Sequence, residues 1–233
     1  MDAVAGMLDG PRARGAFLLR STLAPPWSLR IADEAPLTLV AAVRGAAWVL
    51  PDQGEEVRIE AGDVCLLRGP DPYTVADDPG TEPQVLILPG QRCVTPDGQE
   101  VVMRDLGVRT WGNRPDGETE LLTGTYGLDG EVGRRLLRAL PAVAVIAGDA
   151  LESPLVALLA DEIVRDAPGQ EAVLDRLLDL LLIAALRAWL ARPEAATPGW
   201  YRADADPVVG HALRLIHHEP ARPWTVAELA AAA

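Results

Sequence analysis

The 233-residue sequence contains no lysine, one phenylalanine, three histidines and two cysteines. Cys65 and Cys93 are too few for a disulfide framework and have no zinc-site spacing, so a reducing compartment is the default. His211, His217 and His218 all lie near the C-terminus, and adjacent histidines on a helix point about 100° apart and do not converge on a metal. The longest apolar run, Leu177 to Leu190, carries Asp179 and Arg187 and is too short for a bilayer span. Asp2, Asp9 and Arg12 interrupt any secretory leader, which gives the reading of a cytoplasmic protein with no membrane partner. The 21 basic residues, all arginine, stand against 34 acidic ones, for a net charge of −13. That is the wrong sign for neutralising a phosphate backbone, so these residues alone are not expected to bind nucleic acid. G-x-S-x-G, P-loop and dinucleotide glycine signatures are lacking too, and Asp63 in "AGD" fits a turn cap better than a general base. The expectation is therefore no catalytic residue, no metal and no cofactor.

From Gly15 to about Gly127 the chain consists of short β-rich segments cut by Gly and Pro. "GAFLLRST", "WSLRIA", "LTLVAAV", "AAWVLP", "EVRIEA", "DVCLLR", "YTVAD", "QVLILP" and "LLTGTYGL" each predict a strand. "PDQGEE", "EAGD", "DDPGTEP" and "TPDGQE" supply turns. Many short strands at regular spacing predict an antiparallel barrel or jelly roll.

Later the hydrophobic period lengthens to that of a helix. Leu155, Leu158, Leu159 and Ile163 predict one helix, ended by Gly169. Residues 170–192 predict a second, with one stripe of Val173, Leu177, Leu180, Leu181 and Ala184 and an adjoining one of Leu174, Leu178, Leu182 and Leu186. This apolar arc is too broad for the preceding helix to cover, so Leu174, Leu178, Leu182 and Leu186 are candidate homodimer contacts. A Pro/Ala/Asp-rich linker follows over 193–206, then helical spacing of Val209, Leu213 and Ile216. Finally Thr225 and Glu228 form the pattern of a capping box.

"DPVVGHALRLIHHEPARPWTVAELAAAA" resembles the start of the DNA-binding region of AraC/XylS-type transcriptional regulators: a scaffold helix, a Pro-Trp-Thr-Val connection, and the first helix of a helix-turn-helix. "GAFLLRSTLAPPWSLRI", "VRGAAWVL", "EAGDVCLLRGPDPYTVADDPGT" and "PGQEAVLDRLLDLLLIAALRAWL" are similar to the cupin-type effector domain of one branch of that family. The resemblance implies an α+β chain: a cupin-like effector-binding β-barrel over 1–148, a helical dimerisation hairpin over 149–192, the linker over 193–206, and over 207–233 the severed start of the helix-turn-helix domain. Trp224 and Leu229 would then lack most of their core, leaving a frayed or adventitiously packed tail. Promoter DNA is a partner only for the full-length regulator, whose recognition helices lie further on.

Many members of that branch carry metal-binding histidines where this chain has Val40 and Tyr73, so the resemblance implies no His-based metal site here. It implies a small-molecule effector, apolar or aromatic, with an anionic group as an option. Val40 and Ala42 share one face of their strand and Trp48 and Tyr73 are placed near it, with Trp27 for stacking and Arg20 for an anion. The alternatives are a metal-dependent cupin enzyme and a cysteine-based oxidant sensor. For the latter Cys93, in a loop beside Arg92, is the more reactive candidate and Cys65, in "DVCLLR", the less.

Overall fold

The computed structural model describes residues 18–101, 104–127, 130–151, 153–192, 203 and 206–233. The linker predicted over 193–206 falls almost wholly outside them. Among the described residues thirteen short strands form two stacked sheets: β1 (Leu18–Leu23), β2 (Ser28–Ile31), β3 (Leu37–Arg44), β4 (Ala46–Pro51), β5 (Val57–Glu60), β6 (Val64–Arg68), β7 (Tyr73–Ala76), β8 (Val85–Leu88), β9 (Arg92–Val94), β10 (Arg104–Gly107), β11 (Thr110–Gly112), β12 (Thr119–Tyr126) and β13 (Val143–Ile146). One sheet runs β10-β11-β1-β12-β3-β6-β13 and the other β5-β4-β7-β2-β8-β9. All nine predicted strands are present. β9, β10, β11 and β13, of three or four residues each, are additions.

The purely antiparallel expectation is corrected at two places, because β1 pairs β11 and β2 pairs β8 in parallel. Each of these pairs joins strands distant in sequence, so no turn signal announces it. Gly45 makes the sharp turn that carries the chain from β3 in one sheet to β4 in the other, where φ is +73° and a Cβ would stand 2.7 Å from the Glu118 carbonyl oxygen. Only glycine meets both demands.

The larger sheet is buried on both faces. Along β3, Leu37, Leu39 and Ala41 point to the helices, whereas Val40 and Ala42 point to the second sheet. This double burial explains why "LTLVAA", apart from the buried Thr38, is apolar on both faces instead of alternating. Helices α1 (Gly130–Ala139), α2 (Leu155–Ile163) and α3 (Gln170–Leu190) follow, with α4 (Pro207–His218) and α5 (Val226–Ala232) after them. α1 was not foreseen in the sequence.

Helix α3 lies on the outer face of the larger sheet. Leu174, Leu178, Leu182 and Leu186 are at most 3% exposed and share a core with Leu39, Ala41, Leu122 and Tyr126. They are therefore not a free dimer face, because the chain's own sheet already covers them. The Tyr126 hydroxyl donates a 2.9 Å hydrogen bond to the Leu178 carbonyl. Gly124, the next small position on that face, lets the helix approach: a Cβ there would lie 2.8 Å from Leu178 Cδ1. Among the described residues of 153–192, the large apolar side chains left exposed are Leu158, Val164, Val173 and Leu180.

Near the C-terminus the local signals hold. Asp206 caps α4 through its Oδ1, which accepts from the Val208 and Val209 amides at 2.9 Å. The Thr225–Glu228 capping box forms in full. α5 is helical through Ala232 but buries none of its residues, and Leu229 is only half-buried. Trp224 stays half-buried, with the Arg222 guanidinium 3.7 Å from its ring centre.

Candidate functional site

Between the two sheets lies a cavity of about 360 Å³. Its wall follows from strand alternation. β1 contributes Leu19 and Ser21, β2 contributes Leu29 and Ile31, β7 contributes Tyr73 and Val75, and β12 contributes Leu121, Thr123 and Thr125. Val40 of β3, Ile87 of β8, Cys93 of β9 and Trp111 of β11 complete the strand positions, and Asp33, Gln91 and Val101 come from the connections. On the larger sheet intervening apolar residues such as Leu18 and Leu122 belong to the helix-side core.

The register divides the cavity into two ends. Ile31 pairs with Tyr73 on one side and with Ile87 on the other, and Ile87 pairs with Cys93. Asp33 and Gln91 each lie two residues beyond this row, on the same side of it. Across the cavity Thr125 pairs with Thr38, whose side chain lies near that of Tyr73. One end thus gathers Asp33, Gln91, Thr125 and the Tyr73 hydroxyl. The other is lined by Leu29, Val75, Leu121 and Trp111, all buried, with the buried Ser21 beside them. Asp33, Gln91, Thr123 and Thr125 are half-buried, which places the polar end toward solvent.

Burial disfavours ionisation of the phenol and the thiol in the wall. The Tyr73 phenol is pushed well above its ordinary range by desolvation, and the nearby Asp33 carboxylate adds to this. The Cys93 thiol is also raised by burial. Asp33 is the wall's carboxylate, and its Oδ1 accepts from the Ala35 amide at 3.1 Å. Among the described residues no group of three or more His, Cys, Asp or Glu side chains is placed to hold a metal ion.

Of the ligand candidates read from the sequence, Val40 and Tyr73 line the cavity. Ala42 and Trp27 are in the same inter-sheet core but are packed away, 0% and 1% exposed, and do not reach the cavity wall. Trp48 alternates with the inward Ala47 and Val49 and lies on the outer face of its sheet. Arg20 shares the parity of Leu18, opposite to Leu19 and Ser21, so it points away from the cavity. Its guanidinium is already bound to Glu120 by two 2.7 Å contacts, Nε to Oε1 and Nη2 to Oε2. The basis for an Arg20-held anion is thereby removed.

Cys93 stays the more accessible of the two cysteines, but its setting is corrected. Cys93 belongs to strand β9 and lines the cavity instead of sitting in a cationic loop, and its raised thiol is the less nucleophilic form at neutral pH. Cys65 is fully buried, with its thiol pushed up to about 12. Sequence reading missed Asp33, Gln91, Trp111, Thr123 and Thr125. For Thr123 and Thr125 the period-two pattern of "LLTGTYGL" held the signal, whereas the others sit in connections or in a strand too short to show a period.

A model of the cupin family matches residues 2–191 of the sequence. The chain belongs to the cupin family. A Streptomyces lividans protein described as an AraC-like transcription regulator is 30% identical to this cupin chain over 211 residues, 88% of the chain and 64% of the relative. One from Streptomyces antibioticus, described in the same words, is 33% identical over 200 residues, 82% of the chain and 61% of the relative. The cupin chain thus spans under two thirds of these relatives' length. A crystal structure of apo ToxT K231A from Vibrio cholerae aligns over 93% of this chain and 69% of its own, at 9% identity and a TM-score of 0.43. That likeness is too distant to bear on the cavity.

Proposed function

We propose that this cupin chain is the effector-sensing part of an AraC-like transcriptional regulator, acting in the cytoplasm by binding and not by catalysis. The observation that carries this is the cavity itself: about 360 Å³ between the sheets, apolar at depth and polar toward solvent, which is the construction of a small-molecule site. The relatives' descriptions supply the regulatory setting. Effector binding shifts the population between arrangements of the helices behind the larger sheet, and DNA binding belongs to a longer protein of which residues 207–233 form the first edge.

Homodimerisation fits the helical layer, with its contacts reassigned. Val173 and Leu180, 44% and 50% exposed and seven residues apart, lie on the outer side of α3, and Leu158 is exposed on α2. These three replace the four buried leucines as the interface.

Ligand-dependent thermal shift tests the sensing role, because a ligand that binds only the folded state adds about 2.7 kcal/mol of stability at a hundred times its Kd. Val40→Phe should fill the cavity and abolish the shift while the chain remains folded by circular dichroism. An unaltered shift in that variant places the ligand elsewhere and defeats the proposal.

A further inference from the structure

The wall of the cavity has a charge pattern that selects among effectors. Among the described lining residues there is one carboxylate, Asp33, and no arginine or histidine. The basic side chains on neighbouring strand positions are engaged elsewhere: Arg20 with Glu120, and Arg30 with Asp52 through two 2.6 Å contacts. Arg92 alternates with the cavity-lining Cys93 and is exposed. A carboxylate ligand would therefore enter beside a like charge with no described cation to meet it, and an uncompensated buried charge is costly.

The same end is well supplied for the opposite case. Asp33 accepts from the Ala35 amide through Oδ1, which orients the carboxylate, and Gln91, Thr125 and the Tyr73 hydroxyl add donors and acceptors. Glu34 and Gln91, at φ +60° and +61°, hold left-handed backbone conformations immediately beside Asp33 and within this end. Non-glycine residues are uncommon in that region and concentrate where side chains must be aimed.

We infer that the effector is a neutral or cationic amphiphile, an amine or alcohol on an apolar or aromatic frame, with its polar head at Asp33 and Gln91 and its hydrocarbon against Leu29, Val75, Leu121 and Trp111. The inference rests on the cavity being the effector site. It narrows the ligand class by rejecting the anionic option.

Three probes of one frame test it: 4-phenylbutylamine, 4-phenylbutanol and 4-phenylbutyrate, titrated calorimetrically into the chain at pH 7, with wild type compared against Asp33→Asn. The amine and the alcohol should bind, and the carboxylate should bind at least about tenfold more weakly than the amine, since a close charge pair at intermediate dielectric is worth more than 1.4 kcal/mol. Asp33→Asn should bring amine and alcohol within about twofold of one another while leaving alcohol affinity unchanged, the isosteric amide removing only the charge. A carboxylate that binds as well as the amine overturns the charge assignment while leaving the cavity as the site. An amine preference that survives Asp33→Asn overturns the role of Asp33. Failure of all three probes to bind, with the protein folded, rejects the cavity reading and this inference with it.

Discussion

Replacing Leu178 by alanine separates two accounts of α3, one in which its leucine stripe awaits a second subunit and one in which the stripe is seated on the chain's own sheet. Leu178 is 1% exposed and clusters with Leu122 and Tyr126 of β12. Truncation to alanine removes three carbons, a transfer loss of about 2.4 kcal/mol at 0.8 kcal/mol per methylene. A cavity contribution adds to this where the surroundings cannot collapse. Here they are held, because the Tyr126 hydroxyl ties the Leu178 carbonyl to β12 and Gly124 brings sheet backbone against the leucine methyls. The total should reach about 3–4 kcal/mol, near the middle of measured Leu→Ala losses. For a chain of this size that lowers Tm by roughly 6–16 °C. Leu180→Ala, at a position 50% exposed, should change stability by less than about 0.5 kcal/mol at concentrations where the chain is monomeric. Urea denaturation followed by circular dichroism at 222 nm reads both. A loss below about 1 kcal/mol for Leu178→Ala, or an equal loss for Leu180→Ala, would refute the seating of α3 on the sheet.

Tyr126→Phe, which deletes only the hydroxyl bonded to the Leu178 carbonyl, should cost about 1 kcal/mol in the same denaturation assay. Glu120→Gln should destabilise by about 1–3 kcal/mol, because it leaves the Arg20 charge without its buried partner, yet calorimetric affinity for a cavity ligand should not change. The Arg30 guanidinium holds the Asp52 carboxyl below its ordinary value of 3.8. The stabilisation this gives is present above about pH 3.8 and is lost as pH falls through the lowered folded-state value. The stability difference between wild type and Asp52→Asn should accordingly shrink across that window in acid titration. With an aromatic disulfide reagent the native chain should label at Cys93 alone, more slowly than a free thiol at pH 8 and faster as pH rises, and Cys65 should label only in denaturant. Rapid labelling of Cys65 in the native state would contradict its burial.

The candidate site was only partly legible beforehand. Val40 and Tyr73 could be read because each lies in a segment with a recognisable β pattern and the family resemblance marked both positions as facing the barrel interior. Arg20 and Trp48 were misassigned by parity, since a one-residue step along a strand moves a side chain from cavity to exterior. Trp27 and Ala42 are inward but lie where the sheets pack without a gap. Asp33 and Gln91 carried no periodic signal, because they stand just past strand ends and acquire meaning only when β2, β8 and β9 are aligned.

What the sequence determined by itself is what depends on near neighbours in the chain. This comprises the nine predicted strands, the α2–α3 pair, the Asp206 cap and the Thr225–Glu228 capping box, each set by side chains within a few residues of the backbone they organise. Only the tertiary structure decided the parallel pairings of β1 with β11 and β2 with β8, the placing of α3's leucines on the sheet, and the makeup of the cavity wall. An apolar stripe states that it will be covered but not by what, since burial has no direction along the chain. The larger sheet presents an equally apolar outer face, and packing α3 there buries both surfaces within one molecule.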